Sequence, residues 1–236
     1  MTPALIELAD ISKAYGALRP LRMARLVVAA GESVAIVGLD QPAAEVFLNL
    51  LMGTTLPDRG GVQVFGRLTS AIADSAEWLA FVDRFGIVSE RAVLLERLSV
   101  TQNLAVPYTL EIEPPPEDVR LKAEALADEV GIAAVAWARP IGEADRAVRA
   151  RIRLARALAL DPAVLLVEHL SAGVPAAAVA PLGATIRRVA ARRGAAVVTA
   201  TADLEFARAV APRVLRFEPA TGALSERRGW LRGRLG

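Results

Sequence analysis

The chain has 236 residues, is 54% hydrophobic and carries a formal net charge of +2. This size suits a well-packed domain, and so small a charge gives no reason to expect nucleic-acid binding. It contains no cysteine and one histidine, which excludes disulfides, thiolate metal sites and multi-histidine metal sites. Lysine occurs only at Lys13 and Lys122, so only these two positions could supply a catalytic lysine.

Membrane-spanning segments are not expected, because no apolar run approaches the roughly 18–20 residues that a spanning helix needs. The N-terminus also lacks the charged-then-apolar pattern of a signal segment. We therefore expect a soluble protein that docks on a larger partner.

Residues 33–53, SVAIVGLDQPAAEVFLNLLMG, are the stretch around which the chain is organised. They begin with a short β-branched run, which predicts a buried central strand. A tight turn at Gly38 follows, and then a helix from about Pro42 to Met52. Proline suits the first helical position and Gly53 suits the position that ends the helix.

Strands and helices alternate through the rest of the chain, which favours a mostly parallel sheet flanked by helices. Strands are predicted at residues 4–8, 25–30, 61–66, 85–89, 195–201 and, as the last strand, 214–219, and a turn followed by a buried strand is predicted at 161–170. Helices are predicted at residues 70–80, from Ser99 or Thr101 until Pro107 breaks the helix, and at 117–130, 144–160, 176–193 and 203–211.

The helix predicted at 117–130 has an amphipathic pattern. Leu121, Ala125 and Leu126 are expected on its buried face, and Gly131 is expected to end it.

Strand, turn and helix also form the frame of a phosphate-binding P-loop, which reads G-x-x-x-x-G-K-[ST]. Gly38 keeps the first glycine. Ala43 replaces the second glycine, Ala44 the lysine, and Glu45 the Ser/Thr. The frame is therefore kept, while the residues that bind phosphate and metal are replaced.

Over about residues 4–225 the chain resembles the ATP-binding subunits of ATP-binding-cassette (ABC) transporters. The most similar stretches are LADISKAYG, GESVAIVG, FLNLLMGTTLPDRGGVQVFG, LSVTQNLAVPY and RIRLARALALDPAVLLVEHLSAG. The resemblance implies a P-loop NTPase-like α/β fold with a mostly parallel sheet, an antiparallel β lobe built from the N-terminal strands, and a helical lobe over about 92–155. It also implies a single nucleotide-binding domain over 1–236, with a basic tail over about 225–236.

The resemblance assigns several positions to the nucleotide site. Tyr15 lies where the family stacks an aromatic ring on adenine, and Glu90 lies at the Q-loop glutamine. The positions of the phosphate loop are Gly38, Leu39, Asp40, Gln41, Pro42, Ala43, Ala44, Glu45 and Val46.

Other motifs of the family are also altered. Glu168 stands at the Mg²⁺-associated aspartate of Walker B, and His169 at the catalytic glutamate. Ala202 stands at the switch histidine. The signature positions include Asp145, Arg146 and Ala147, so a carboxylate would face a partner's nucleotide.

These replacements act together on one reaction. Removing a single phosphate or oxyanion donor typically costs about 10²–10³ in rate, and several are removed here. We therefore expect no measurable ATP hydrolysis and no metal site. Mg-ATP, which the family implies, is expected to bind weakly or not at all, with a dissociation constant on the order of a millimolar or worse.

Three positions carry alternative interpretations. The start of the 42–52 helix is either a phosphate site or self-capped by Asp40 or Gln41, with Glu45 near the first turn. His169 is either a base beside Glu168 or a polar residue at a strand end. Tyr15 stacks on adenine or packs at a lobe edge.

Two basic segments also have two interpretations each. The arginines of the 144–160 helix face an acidic partner or lipid headgroups, or they form a solvated helix face. The tail 225–236 is a frayed terminus or a membrane-surface contact.

The resemblance therefore predicts a cytoplasmic protein, peripheral at the inner face of the membrane, that serves as a structural or regulatory subunit under a permease. It would form a homodimer, or a heterodimer with a competent ATP-binding subunit. The NLAVPY segment resembles subfamilies that move lipids or lipoproteins. The rival hypotheses are an active ATPase that energises transport and a nucleotide-free scaffold.

Overall fold

The computed structural model describes residues 4–226, in which ten strands and seven α-helices are found. The strands are β1 Ala4–Lys13, β2 Leu21–Ala29, β3 Ser33–Val37, β4 Arg59–Val64, β5 Arg67–Leu68, β6 Phe85–Ser89, β7 Val164–Glu168, β8 Ala196–Thr201, β9 Arg213–Glu218 and β10 Ala223–Glu226. The helices are α1 Gln41–Leu51, α2 Ser75–Val82, α3 Val100–Ala105, α4 Glu117–Glu129, α5 Arg146–Leu158, α6 Ala176–Arg193 and α7 Leu204–Val210.

The larger sheet has the order β10-β9-β3-β8-β7-β6. Neighbouring strands from β9 to β6 are parallel, and β10 pairs antiparallel with β9. The prediction of a mostly parallel sheet flanked by helices is confirmed. Because parallel strands end at one edge, the segments that follow β3, β6, β7 and β8 meet there.

The smaller sheet is antiparallel, in the order β2-β1-β4-β5. The predicted antiparallel lobe is therefore present, and β4 and β5 join it from beyond α1. Both N-terminal strands are longer than predicted, since β1 continues to Lys13 and β2 begins at Leu21. These two residues are register partners, so pairing between the strands extends both of them.

Two hydrophobic cores divide the interior. One lies between the two sheets and includes Phe47 and Leu48 of α1. The other lies on the opposite side of the parallel sheet and includes Leu104 of α3, Leu126 of α4 and Leu154 of α5. Helix α1 is therefore seated between the sheets, and its first residues reach the edge where the parallel strands end.

Side-chain caps set where several helices begin. Asp74 caps α2, so that helix begins at Ser75, later than predicted. Asp145 caps α5 in the same way. Ser99 forms a capping box with Gln102 at the start of α3, which ends before Pro107, as predicted.

The buried face of α4 differs from the prediction. Leu121 and Ala125 are exposed, and of the three predicted residues only Leu126 is buried. The buried stripe is instead Val119, Ala123, Leu126 and Ala127. This stripe has the i, i+4, i+7, i+8 spacing of one helix face, and packing against α3 and α5 selects it over the alternative.

The strand predicted at 214–219 is not the last strand of the sheet, contrary to the prediction. The turn at Gly222 returns the chain into β10, which pairs with β9. Ser225 and Glu226 of the predicted tail belong to β10, and 227–236 lie outside the described residues, so both interpretations of the tail remain predictions. Among the helices of residues 4–226, none has the length and apolar character that a bilayer crossing demands.

Gly86 is expected to be essential for packing α5 against β6. An added Cβ would lie 2.9 Å from both Leu165 Cδ2 and Pro162 Cγ, and closer still to the Ala157 carbonyl oxygen. Overpacking of this kind typically costs about 1–3 kcal/mol, so Gly86→Ala should lower the free energy of unfolding by that amount in a urea titration. Gly61→Ala is the matched control, because its nearest neighbour is a Leu68 side-chain atom at 3.6 Å. An equal loss in both variants would contradict this explanation.

Candidate functional site

The site lies at the edge of the parallel sheet where β3, β6, β7 and β8 end. Val37 of β3 is in register with Thr201 of β8, and Glu168 of β7 is in register with Ser89 of β6. The segments that leave these strands therefore meet, although they are far apart in the sequence.

The turn after β3 requires glycine. Gly38 has φ +103°, and a Cβ at this position would lie 2.8 Å from the Phe217 carbonyl oxygen of β9. Left-handed backbone and close approach together explain why this glycine is kept. Leu39, the next residue, turns inward and is buried.

Helix α1 is capped by its own chain, as one interpretation predicted. The Asp40 carboxylate accepts a hydrogen bond from Ala43 N at 2.9 Å, and Ala44 N donates to Asp40 O at 2.9 Å. The helix begins at Gln41, so Pro42 is its second residue and not its first as predicted. Proline has no N–H, so positions 42, 43 and 44 have no free N–H to offer a ligand.

Side chains in and after the phosphate loop face different environments. Ala43 and Ala44, the third and fourth residues of α1, are buried. Val46 packs against the core between the sheets. Glu45 is the fifth residue of α1 and lies directly after its first turn, near it as predicted. It therefore does not serve the positive end of the helix.

Glu168 is a buried carboxylate with two side-chain partners. Its side chain has 0% exposure, which would be costly without compensating contacts. Gln41 Nε2 donates to Oε1 at 2.6 Å, and Arg91 donates to Oε2 from Nη2 at 2.7 Å and from Nε at 3.2 Å. The end of β7 is thereby joined to α1 and to the segment after β6.

Arg91 joins two acidic residues. Besides its contacts with Glu168, its Nη1 lies 2.5 Å from Glu45 Oε1. Burial lowers the pKa of the Arg91 guanidinium, but the hydrogen bonds and negative charges of Glu168 and Glu45 outweigh burial, so its pKa is raised. Arg91 therefore stays charged and fills the space between α1 and β7. We call Gln41, Glu45, Arg91 and Glu168 the Arg91 network.

Arg91 was not among the site residues predicted from the sequence. The neighbouring Glu90 was predicted there, but Glu90 is exposed, and its backbone carbonyl accepts from Arg153 Nη2 at 3.2 Å. A signal was available, since Glu45 and Glu168 both place carboxylates at the site. Two such acids require a cation nearby, and Arg91 lies on a segment already assigned to it.

His169 adopts a left-handed backbone, with φ +44°. Its N–H donates to Ala200 O at 2.9 Å, which continues the contact between β7 and β8. Its Nε2 is buried and has no hydrogen-bond partner within residues 4–226. The roles of base and of strand-end residue therefore both remain predictions.

Tyr15 is half-buried and packs against the core between the sheets. Burial, with the negative charge of Asp40, raises the pKa of its phenol. The ring therefore lies near Asp40, at the start of α1. Stacking on adenine and packing at a lobe edge both remain predictions.

The titration of Tyr15 tests this placement. In a Tyr108→Phe background it is the one tyrosine left, since the chain has two. We expect its pKa to lie above the ordinary 10.0, and Asp40→Ser to lower it partway, because serine keeps the helix cap without the charge. Tyrosinate absorbance against pH measures both. If the Tyr15 pKa is unchanged in Asp40→Ser, Asp40 does not lie near the Tyr15 ring.

Residues at the signature and switch positions make contacts within the chain. The Asp145 carboxylate accepts from Val148 N at 2.8 Å and caps α5, while Ala147 is buried. Arg146 lies over Gly173, since a Cβ there would be 2.5 Å from its Nη1. Ala202 is exposed just after β8 and brings no functional group to the site.

The arginines of α5 bind the segment after β6. Arg153 donates to Glu90 O and Ala92 O, and Arg156 donates to Val93 O at 2.6 Å. Burial lowers the pKa of both arginines. The prediction of a solvated face is therefore wrong for these two residues, because the backbone carbonyls of an irregular segment accept hydrogen bonds from them.

Comparison with known proteins identifies the family. The chain is 30% identical over 228 residues to "Lipoprotein-releasing system ATP-binding protein LolD 1" of Rhodopirellula baltica, covering 94% of this chain and 97% of that protein. The chain belongs to the ATP-binding proteins of ABC transporters. No family model matches it.

Two further relatives are longer than this chain. It is 26% identical to "Methionine import ATP-binding protein MetN" of Brucella abortus and 29% identical to "Sulfate/thiosulfate import ATP-binding protein CysA" of Methylococcus capsulatus. Each match covers 89% of this chain, but only 56% and 59% of those proteins.

Solved structures support the ABC ATPase fold. The cbiO1 protein of Clostridium perfringens, described as part of the ABC transporter complex cbiONQ, superimposes with a TM-score of 0.79 at 17% identity, covering 94% of this chain and 87% of that one. The ATP-binding cassette MJ0796, described as a dimer bound to ADP and Pi, gives 0.73 at 18% identity, covering 95% and 100%. At these identities the likeness concerns the fold alone.

Proposed function

We propose that this chain is an ABC ATP-binding subunit whose own nucleotide site is closed by its side chains and does not hydrolyse ATP. It acts as a structural or regulatory subunit of a membrane transport complex. The observation that carries the proposal is the Arg91 network, in which Arg91 and Gln41 occupy both oxygens of Glu168.

The helix start is a poor receptor for a triphosphate. A competent loop meets phosphate with a lysine and a row of N–H donors. Here Ala44 has no charge, Pro42 has no N–H, and the N–H of Ala43 is bound to Asp40. The acidic groups Asp40, Glu45 and Glu168 outnumber Arg91 at this edge, so the local charge disfavours an anion.

The residues present also do not fit Mg²⁺. Glu45 replaces the hydroxyl that would hold the ion, and its carboxylate is paired with Arg91. Glu168, at the second metal-associated position, is paired with the same guanidinium. An arginine held between these two carboxylates takes the place that a cation would need.

The partners follow from family membership. The chain would lie at the inner face of the cytoplasmic membrane, under a permease, as a homodimer or beside a competent ATP-binding subunit. It would be one nucleotide-binding domain with a helical lobe over about 92–155. The name of the LolD relative, together with the NLAVPY segment, favours lipoprotein or lipid transport over import of small solutes.

Two measurements test this proposal. The purified chain should release phosphate from ATP no faster than a no-enzyme control, because it lacks both the lysine and the catalytic carboxylate. Purification of the native complex from membranes should then recover a permease with the chain. His169→Ala is the matched variant, because it removes the remaining candidate base.

The outcomes separate the rival functions. Turnover that His169→Ala abolishes would establish an active ATPase and overturn the closed site. Absence of any membrane protein from the native complex would favour a nucleotide-free scaffold outside transport.

A further inference from the structure

The 90–98 loop joins β6 to α3 without regular secondary structure of its own, apart from turns. Such a segment exposes backbone groups that must find partners or water. Here several of them find side chains, and these side chains come from two helices, α3 and α5.

Helices α3 and α5 bind the backbone of this loop. Asn103 of α3 is fully buried; its Oδ1 accepts from Leu95 N at 2.8 Å and its Nδ2 donates to Leu95 O at 3.0 Å. On the other side, Arg153 and Arg156 of α5 donate to the carbonyls of residues 90, 92 and 93. The position of the loop backbone is therefore set by side chains of α3 and α5.

Arg91 adds a connection of a different kind. Its guanidinium leaves the loop and reaches Glu45 on α1 and Glu168 at the end of β7. Two N–H groups of the arginine donate to one oxygen of the buried Glu168 carboxylate, and such charge-assisted bonds restrict the side chain strongly. This one side chain therefore joins the loop to the helix and the strand that form the nucleotide-site edge.

We propose that Arg91 is a latch that holds the 90–98 loop against α1 and β7 in a single conformation without any ligand. The inference goes beyond the proposed function, because it concerns the order of the free chain and not its binding or turnover of ATP. A loop held by internal ion pairs should respond to salt and to loss of the arginine, and these responses can be measured on the chain alone.

Hydrogen exchange, followed by mass spectrometry without nucleotide, tests the latch. Arg91→Gln should raise exchange of peptides covering 90–98 by about tenfold or more at times so short that peptides from β8 stay protected in both proteins, since local opening is faster than global unfolding. Arg67→Gln is the matched control. The Arg67 side chain is also 47% exposed and ion-paired, with Glu77 of α2, so it should leave the 90–98 loop unaffected.

If Arg91→Gln does not fold, two other measurements test the latch: salt dependence of the native chain and the milder variant Glu45→Gln. Raising the sodium chloride concentration should speed exchange of the loop in the native chain, because the Glu45 contact is half-exposed and therefore screened. Glu45→Gln should raise loop exchange less than the loss of Arg91, because the buried contact with Glu168 remains.

Two results would overturn the latch. The first is unchanged loop exchange in Arg91→Gln, or in both Glu45→Gln and high salt. The second is loop exchange that rises only at the times at which β8 peptides also exchange, which would mean that the loop opens only when the whole fold does. Neither result depends on ATP, so the proposed function can fail or hold separately.

Discussion

Grafting the phosphate loop back should convert a chain that binds Mg-ATP at about millimolar strength or worse into one that binds at about 10 micromolar or better. The graft consists of the substitutions Gln41→Gly, Pro42→Ser, Ala43→Gly, Ala44→Lys and Glu45→Ser. It restores a lysine and free N–H donors, and it removes the side chains of Gln41 and Glu45 that contact Glu168 and Arg91. A unit charge pair at about 4 Å is worth roughly 4 kcal/mol at an effective dielectric of 20.

Isothermal titration calorimetry measures the change. The matched control is the same graft with Ala44 retained, which should stay near millimolar because the backbone donors return without the lysine. Neither protein should hydrolyse ATP, since His169 still stands at the catalytic position. Micromolar binding by the natural chain would show that the present loop holds nucleotide, and it would contradict the proposal of a closed site.

Removal of Arg91 should produce the largest loss of stability among single substitutions at this edge. Arg91→Met leaves the Glu168 carboxylate, with 0% exposure, without its cation. Breaking a buried pair costs about 3–5 kcal/mol. The arginine is half-exposed and Gln41 remains bound, so we expect the lower end of that range, about 3 kcal/mol, in urea unfolding.

The control for this experiment is Arg67→Met, which removes an equally exposed arginine from a partner that is not fully buried. Such pairs contribute about 0–1 kcal/mol. The double variant Arg91→Met/Glu168→Gln should recover part of the loss, because it removes the unpaired charge. If Arg91→Met unfolds no more easily than Arg67→Met, the Arg91 network contributes little to stability.

Local patterns predicted the elements that surround the site. The apolar run before Gly38, the cap at Asp40 and the glycine at position 53 are neighbours in the chain, so their spacing carries the information. The same is true of Ser99 and Pro107 at the two ends of α3. Replacement of the phosphate-loop lysine by Ala44 could also be read directly, because that motif is continuous.

Errors arose where the neighbours of a residue come from elsewhere in the chain. Leu121 and Leu126 are both plausible residues for the buried face of α4, and only the positions of α3 and α5 select between them. The arginines of α5 resemble a solvated face until the 90–98 loop is placed against them. Strand β10 exists because β9 offers an edge on which it can pair.

By itself, the sequence determined the α/β alternation, the starts of α1 and α3 and the absence of the phosphate-binding lysine, since each depends on residues close together in the chain. Only the tertiary structure decided what replaces that chemistry. Arg91 and Glu168 are 77 residues apart, and Gln41 and Glu168 are 127 apart. They meet because parallel strands end at one edge of the sheet, where a buried carboxylate needs partners.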